Sequence, residues 1–119
     1  MTVRVIAGLC AGMLLVPAVP AAAAELEIVN ASGTAILHLQ VAPVGTGKGK
    51  WGPDRLADQG GPLAPGARHV VRDLRPGAYD LRLSDAEDRD CEIYRRPIDG
   101  TTRLELTDAM LEDCSQESH

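Results

Sequence analysis

Alternation with a period of two dominates the chain wherever a hydrophobic pattern is visible. Tyr79, Leu81 and Leu83 alternate with Asp80, Arg82 and Ser84, which places three apolar side chains on one face of an extended segment and three polar ones on the other. Leu104 and Leu106 alternate with Arg103, Glu105 and Thr107 in the same way, and Cys91 and Ile93 alternate with Glu92 and Tyr94. Upstream, Leu26 to Asn30 and Ala35 to Val41 read as strands, and Ala31, Ser32, Gly33 and Thr34 between them read as a hairpin connection. Ala67 to Leu74 carries adjacent Val70 and Val71 flanked by Arg68, His69, Arg72 and Asp73, the pattern of an edge strand guarded by charge. No segment sustains a helical period. Asp108 to Asp113 predicts at most one short turn, with Asp108 as its cap and Met110 and Leu111 on its apolar side.

Two Pro-Gly turns punctuate the centre, Leu63-Ala64-Pro65-Gly66 and Leu74-Arg75-Pro76-Gly77. Proline presets the first turn position and glycine accepts a positive φ at the second, so each predicts a type II turn leading into a strand. One short strand per interval is the rhythm of an all-β domain. The fold predicted is an antiparallel β-sandwich of about six or seven strands, with one long irregular loop from Pro43 to Pro62 and one disulfide.

The chain of 119 residues opens with a segment of different character. Arg4 precedes the apolar run Val5 to Val16, and the small residues Pro17 to Ala24 fit A-x-A cleavage. The apolar run is shorter than the roughly 20 residues that span a bilayer. Residues 1–24 are therefore expected to be a cleaved signal, residues 25–114 the sandwich domain and residues 115–119 a frayed polar tail. The product is expected to be exported, periplasmic or secreted, with no membrane span after cleavage. The segment has no Arg-Arg pair, which favours the general secretory route, and Leu9 before Cys10 disfavours lipid attachment. Cys91 and Cys114 then remain, in a compartment where disulfides persist, and are expected to form one bridge that stabilises the fold by about 3 kcal/mol.

Lys and Arg number 12 against 17 Asp and Glu, a net charge of −5, which argues against nucleic acid as a partner. So small a domain also lacks room for a deep cleft between lobes. The string Trp51-Gly52-Pro53-Asp54-Arg55-Leu56 contains the only Trp of the chain. Two readings are open for it. Trp51 closes an open end of the core, or it is a binding anchor with Asp54 and Arg55 as flanking polar contacts, because Trp and Arg are enriched at interaction hot spots. The acidic run Asp85, Glu87, Asp88 and Asp90 raises calcium as a ligand, but Arg89 interrupts the alternate donors and Asp90 stands where an EF-hand loop needs glycine. A solvated hairpin tip is the simpler reading. His38, His69 and His119 lack zinc-motif spacing, there is no G-x-S-x-G turn, and the glycines from Gly45 to Lys50 lack the phosphate-loop pattern. Asn30-Ala31-Ser32 matches a glycosylation acceptor. No catalytic set and no cofactor are expected, and the chain reads as a non-enzyme.

The Leu74-x-Pro76-Gly77-x-Tyr79 segment resembles fibronectin-like and prealbumin-like sandwich modules, in which the tyrosine packs over a corner. More widely, Ile28-Val29-Asn30, Ile36 to Pro43, the Trp51 string, Leu63 to Gly66 and Gly77 to Arg82 resemble, in that order, a group of small exported bacterial proteins sharing a W-G-x-D-x-L segment. Trp51, Gly52, Asp54 and Leu56 carry most of that likeness. It implies a sandwich fold and export, and supplies no catalytic residue. The function expected is a binding module that engages a protein or envelope component through the Pro43 to Pro62 loop. A small secreted enzyme inhibitor is the alternative, and a calcium-binding module a weaker third.

Overall fold

A computed structural model describes residues 23–45 and 51–117, so the expected signal lies almost wholly outside the described residues. Six strands form among the described residues: β1 (Ala24–Ala31), β2 (Ile36–Pro43), β3 (Arg68–Leu74), β4 (Gly77–Asp85), β5 (Asp90–Ile98) and β6 (Thr101–Thr107). A 3₁₀ turn, Arg55–Gln59, interrupts the long connection after β2, and helix α1 (Asp108–Glu117) follows β6. The strands make two three-stranded sheets, ordered β3-β1-β6 and β2-β4-β5. The architecture is an all-β sandwich. β4 follows its alternation, with Tyr79, Leu81 and Leu83 buried, and the opposing sheet contributes Leu26, Ile28, Val71, Leu104 and Leu106 to the same core.

The sheets are joined differently from the sequence reading. β1 and β2 are not a hairpin; they lie in opposite sheets, and β1 pairs antiparallel with β3 and parallel with β6. Among the described residues, only β4 and β5 form a hairpin between sequence neighbours within one sheet. The reason at the first corner is Asn30. It occupies an inward position of β1 and is completely buried. Its amide nitrogen donates to the carbonyls of Thr34 (2.8 Å) and Leu63 (2.9 Å), and its Oδ1 accepts from the Ser32 N–H (3.0 Å) and hydroxyl (2.6 Å). A buried amide with both sides satisfied fixes one chain path, because any other leaves costly unpaired groups. The chain is thereby turned out of the first sheet into the second. The same contacts engage the Asn30 amide nitrogen with two backbone carbonyls.

The two Pro-Gly turns also differ. At the first, Gly66 has φ 82° and the Ala67 N–H reaches the Ala64 carbonyl at 3.0 Å, a type II turn. At the second, Gly77 is already in β4, and the residue with positive φ is Asp73, at 61°. This corner is held by the buried Tyr79, whose hydroxyl donates to the Arg75 carbonyl at 2.7 Å. β3 is an edge strand with charged flanks, as its pattern predicts.

The final segment is more ordered than its local pattern suggests. The helix starts one residue earlier than read, since the Thr107 hydroxyl, not Asp108, accepts the Met110 N–H at 3.2 Å and acts as the cap. It continues to Glu117. Leu111 is fully buried, and a disulfide joins Cys114 to Cys91 on β5 with their Cα atoms 5.1 Å apart. Tertiary anchoring thus supports a helix that has little propensity of its own.

Candidate binding face

The outer side of the β2-β4-β5 sheet is where the unusual residues gather. Register places Gln40 opposite Arg82 and Arg82 opposite Glu92, with His38 and Asp90 on either side of Ser84. These side chains alternate with the core residues, so they project from the outer face. The Trp51 string folds back across it. The Arg82 guanidinium lies 6.0 Å from the Trp51 ring centroid, a cation–π contact, and the Gln40 amide donates to the Gly52 carbonyl at 2.9 Å. Gly52 has φ 77°, a conformation other residues adopt only with strain. Trp51 is partly buried and is not a member of the core. Leu56, wholly buried, is the apolar plug that the string contributes to the interior.

Asp54 and Arg55 are engaged inside the fold. Asp54 caps the 3₁₀ turn: its Oδ1 accepts the N–H groups of Leu56 and Leu39, each at 3.0 Å, and its Oδ2 meets His38 Nδ1 at 2.9 Å. Burial pushes this carboxyl up, but the hydrogen bonds from Leu39, His38 and Leu56 outweigh it and hold its pKa below the ordinary value. Arg55 pairs with Asp58 at 3.1 Å, and its carbonyl meets His69 Nε2, also at 3.1 Å. Of the three residues singled out in this string, only Trp51 faces the open groove.

That groove, of about 790 Å³, is lined by Val44, Gly45, Trp51, Asp80, Glu92, Tyr94 and Arg95. A β-bulge shapes its far wall. Tyr79 pairs with Arg96 and Leu81 with Ile93, so Tyr94 and Arg95 together oppose the single residue Asp80. Arg95 sits at φ 56°, unusual for a residue with a side chain, and its N–H donates to Asp80 Oδ1 at 2.9 Å. Tyr94 is 60% exposed, the most exposed large hydrophobic among the described residues. Its hydroxyl donates to the Glu92 carboxylate, which raises the phenol pKa. Sequence reasoning put Tyr94 on a wet strand face but did not single it out. The signal was the adjacent Arg95-Arg96 pair, which breaks the alternation where the bulge occurs.

The acidic run closes a different site. Asp85 is buried, accepting from the backbone N–H groups of Arg89 (2.8 Å) and Glu87 (3.0 Å), the Arg89 Nε (2.7 Å) and the Thr34 hydroxyl (2.9 Å). Burial raises its pKa, and these hydrogen bonds more than offset it, giving a net lowering. Arg89 extends from Asp85 to Asp108, 3.0 Å away, and Glu112, 3.5 Å away, so it joins the β4-β5 hairpin to α1. The Asp108 hydrogen bond, then Asp85, raise the Arg89 pKa. Both Asp85 oxygens are thus spent on protein donors. Glu87, Asp88 and Asp90 are exposed around it, and among the described residues no three His, Cys, Asp or Glu side chains gather where a metal ion would be held. His38 and His69 are used as described above, and His119 lies outside the described residues.

Comparison with known protein families, curated proteins and solved structures finds no match. No helix among the described residues is long and apolar enough to cross a membrane.

Proposed function

We propose that this chain is an exported, non-enzymatic recognition module that binds its partner on the outer face of the β2-β4-β5 sheet. The observation that carries the reading is the placement of Trp51, outside the core and beneath Arg82, across a groove from the exposed ring of Tyr94. Amphipathic rings that bury little in the interior are suited to contact with a partner. The site expected in the Pro43 to Pro62 loop is therefore shared between that loop and the sheet, with Asp54 and Leu56 anchoring the loop and Trp51 and Tyr94 making contact. The rigid disulfide-linked sandwich behind the groove limits the ordering cost of binding.

Replacing Trp51 and Tyr94 with alanine, singly, tests this. Thermal unfolding is expected to change little, while retention of the exported protein on fractionated envelope components falls. A collapse of stability in Trp51→Ala with unchanged retention would return Trp51 to a structural role and remove the proposal.

A further inference from the structure

We propose that the chain pairs with a second copy of itself through the edge of β6, a site separate from the groove. Four edge strands border the two sheets, and three of them are guarded. On β2, Asp54 takes the Leu39 N–H and Leu63 exchanges hydrogen bonds with Ile36. β5 carries the bulge at Tyr94 and Arg95, then Pro97, which has no N–H to offer, and its Cys91 is bonded to α1. β1 reaches β3 through the Asn30 N–H, which donates to the Ala67 carbonyl at 2.9 Å. By alternation His69 and Val71 also bond to β1, while Arg68, Val70 and Arg72 face outward. Two such edges centred on Val70 set Arg68 against Arg72 twice, a like-charge clash.

β6 has no such guard among the described residues. The Glu25 N–H donates to the Gly100 carbonyl at 2.7 Å, and Glu25 is the parallel partner of Thr101. A residue in a parallel ladder bonds to the two positions flanking its partner, so Gly100, Thr102, Leu104 and Leu106 turn their main-chain groups to β1. Thr101, Arg103 and Glu105 turn theirs outward. The Arg103 and Glu105 side chains are 61% and 53% exposed and meet each other only at 3.5 Å. An antiparallel second β6 must align outward residues with outward residues, and the three registers of greatest overlap are centred on Arg103, Leu104 and Glu105. The first opposes two arginines and the third two glutamates. Centring on Leu104, which overlaps the whole strand, sets Arg103 against the partner's Glu105 and Glu105 against the partner's Arg103. The two-fold axis then yields two attractive pairs and joins two three-stranded sheets into one.

Sedimentation equilibrium over a range of concentrations tests the pairing. The parent is expected to pass from monomer to dimer and to stop there, because the operation closes on itself. Arg103→Glu and Glu105→Arg are each expected to weaken association by about tenfold or more, since each sets two like-charge pairs across the axis. Both substitutions in one chain are expected to restore the dimer, as is an equimolar mixture of the two single variants, in which one edge is wholly basic and the other wholly acidic. Arg72→Gln, on β3, is expected to associate as the parent does. Circular dichroism verifies that each variant is folded. A parent that stays monomeric throughout, or that grows into open-ended polymers, overturns the proposal. So does a dimer untouched by both single variants, one lost equally in Arg72→Gln, or one that neither combination restores.

Discussion

The Asp54 carboxylate receives the backbone N–H of Leu39 at 3.0 Å, across 15 positions of sequence. Leu39 lies on β2, an edge strand, and its N–H points away from β4 toward the open side of the sheet. A single side chain therefore satisfies an edge donor, caps the 3₁₀ turn through Leu56 and fixes the loop that carries Trp51. At the start of the same strand, Ile36 exchanges backbone hydrogen bonds with Leu63, both at 2.9 Å. Between them, Asp54 and Leu63 occupy an edge that would otherwise recruit another strand.

Asp54→Ala is expected to destabilise the fold by about 1–2 kcal/mol, since it removes a cap and leaves the Leu39 N–H without its acceptor. Asp54→Asn, which keeps one oxygen, is expected to lose less. His38→Ala is expected to cost little, because the His38 side chain is 65% exposed. Urea denaturation of the three variants measures the ranking. An Asp54→Ala midpoint equal to that of the parent removes Asp54 from its structural role.

Acid weakens this fold through Asp85 and Asp54, whose folded pKa values lie below the ordinary 3.8. Because the folded state holds the ionised form more tightly than the unfolded chain does, their stabilisation is complete well above pH 3.8 and is lost as the pH falls through the folded values. Unfolding midpoints at pH 6 and pH 3 are expected to show the drop. The parallel series in Asp85→Asn is expected to start lower at pH 6 and to fall less steeply. An unchanged slope in that variant assigns the acid sensitivity elsewhere.

Arg95→Gly separates backbone strain from side-chain function. Glycine adopts φ 56° without the cost borne by a residue with a Cβ, so the substitution is expected to stabilise the fold by about 0.5–1 kcal/mol while removing a groove guanidinium. Thermal unfolding gives the first effect and retention on fractionated envelope components the second. A less stable variant shows that the Arg95 side chain supports the bulge.

The buried faces of β4 and β6 were legible from alternation, β4 most clearly, whereas β2 buries Ile36, Leu39 and Ala42, a spacing that alternation does not read. Strand neighbours were not legible either, because a period of two says which side chains point inward and nothing about which strand lies alongside. Asn30 shows why this matters: a polar residue in an inward slot looked like the end of a strand pattern, yet its four hydrogen bonds decide where the chain goes next. The Trp51 string was conspicuous as a string. Its division of labour depends on Leu39, His38, Gln40 and Arg82, residues far enough away in sequence that local spacing carried no information about them. α1 was underestimated for a similar reason, since Leu111 and Cys114 hold it from outside its own sequence.

The earliest strand of the chain is the middle strand of its sheet, and its parallel neighbour is the last strand to be made. During synthesis, Leu26 and Ile28 must wait for Leu104 and Leu106 before that side of the layer exists. Closing a loop that encloses nearly the whole domain is a slow step in assembly, favoured only once the C-terminal strand is available. The architecture therefore withholds its native state from any N-terminal fragment, keeping the growing polypeptide loose until translation has delivered β6.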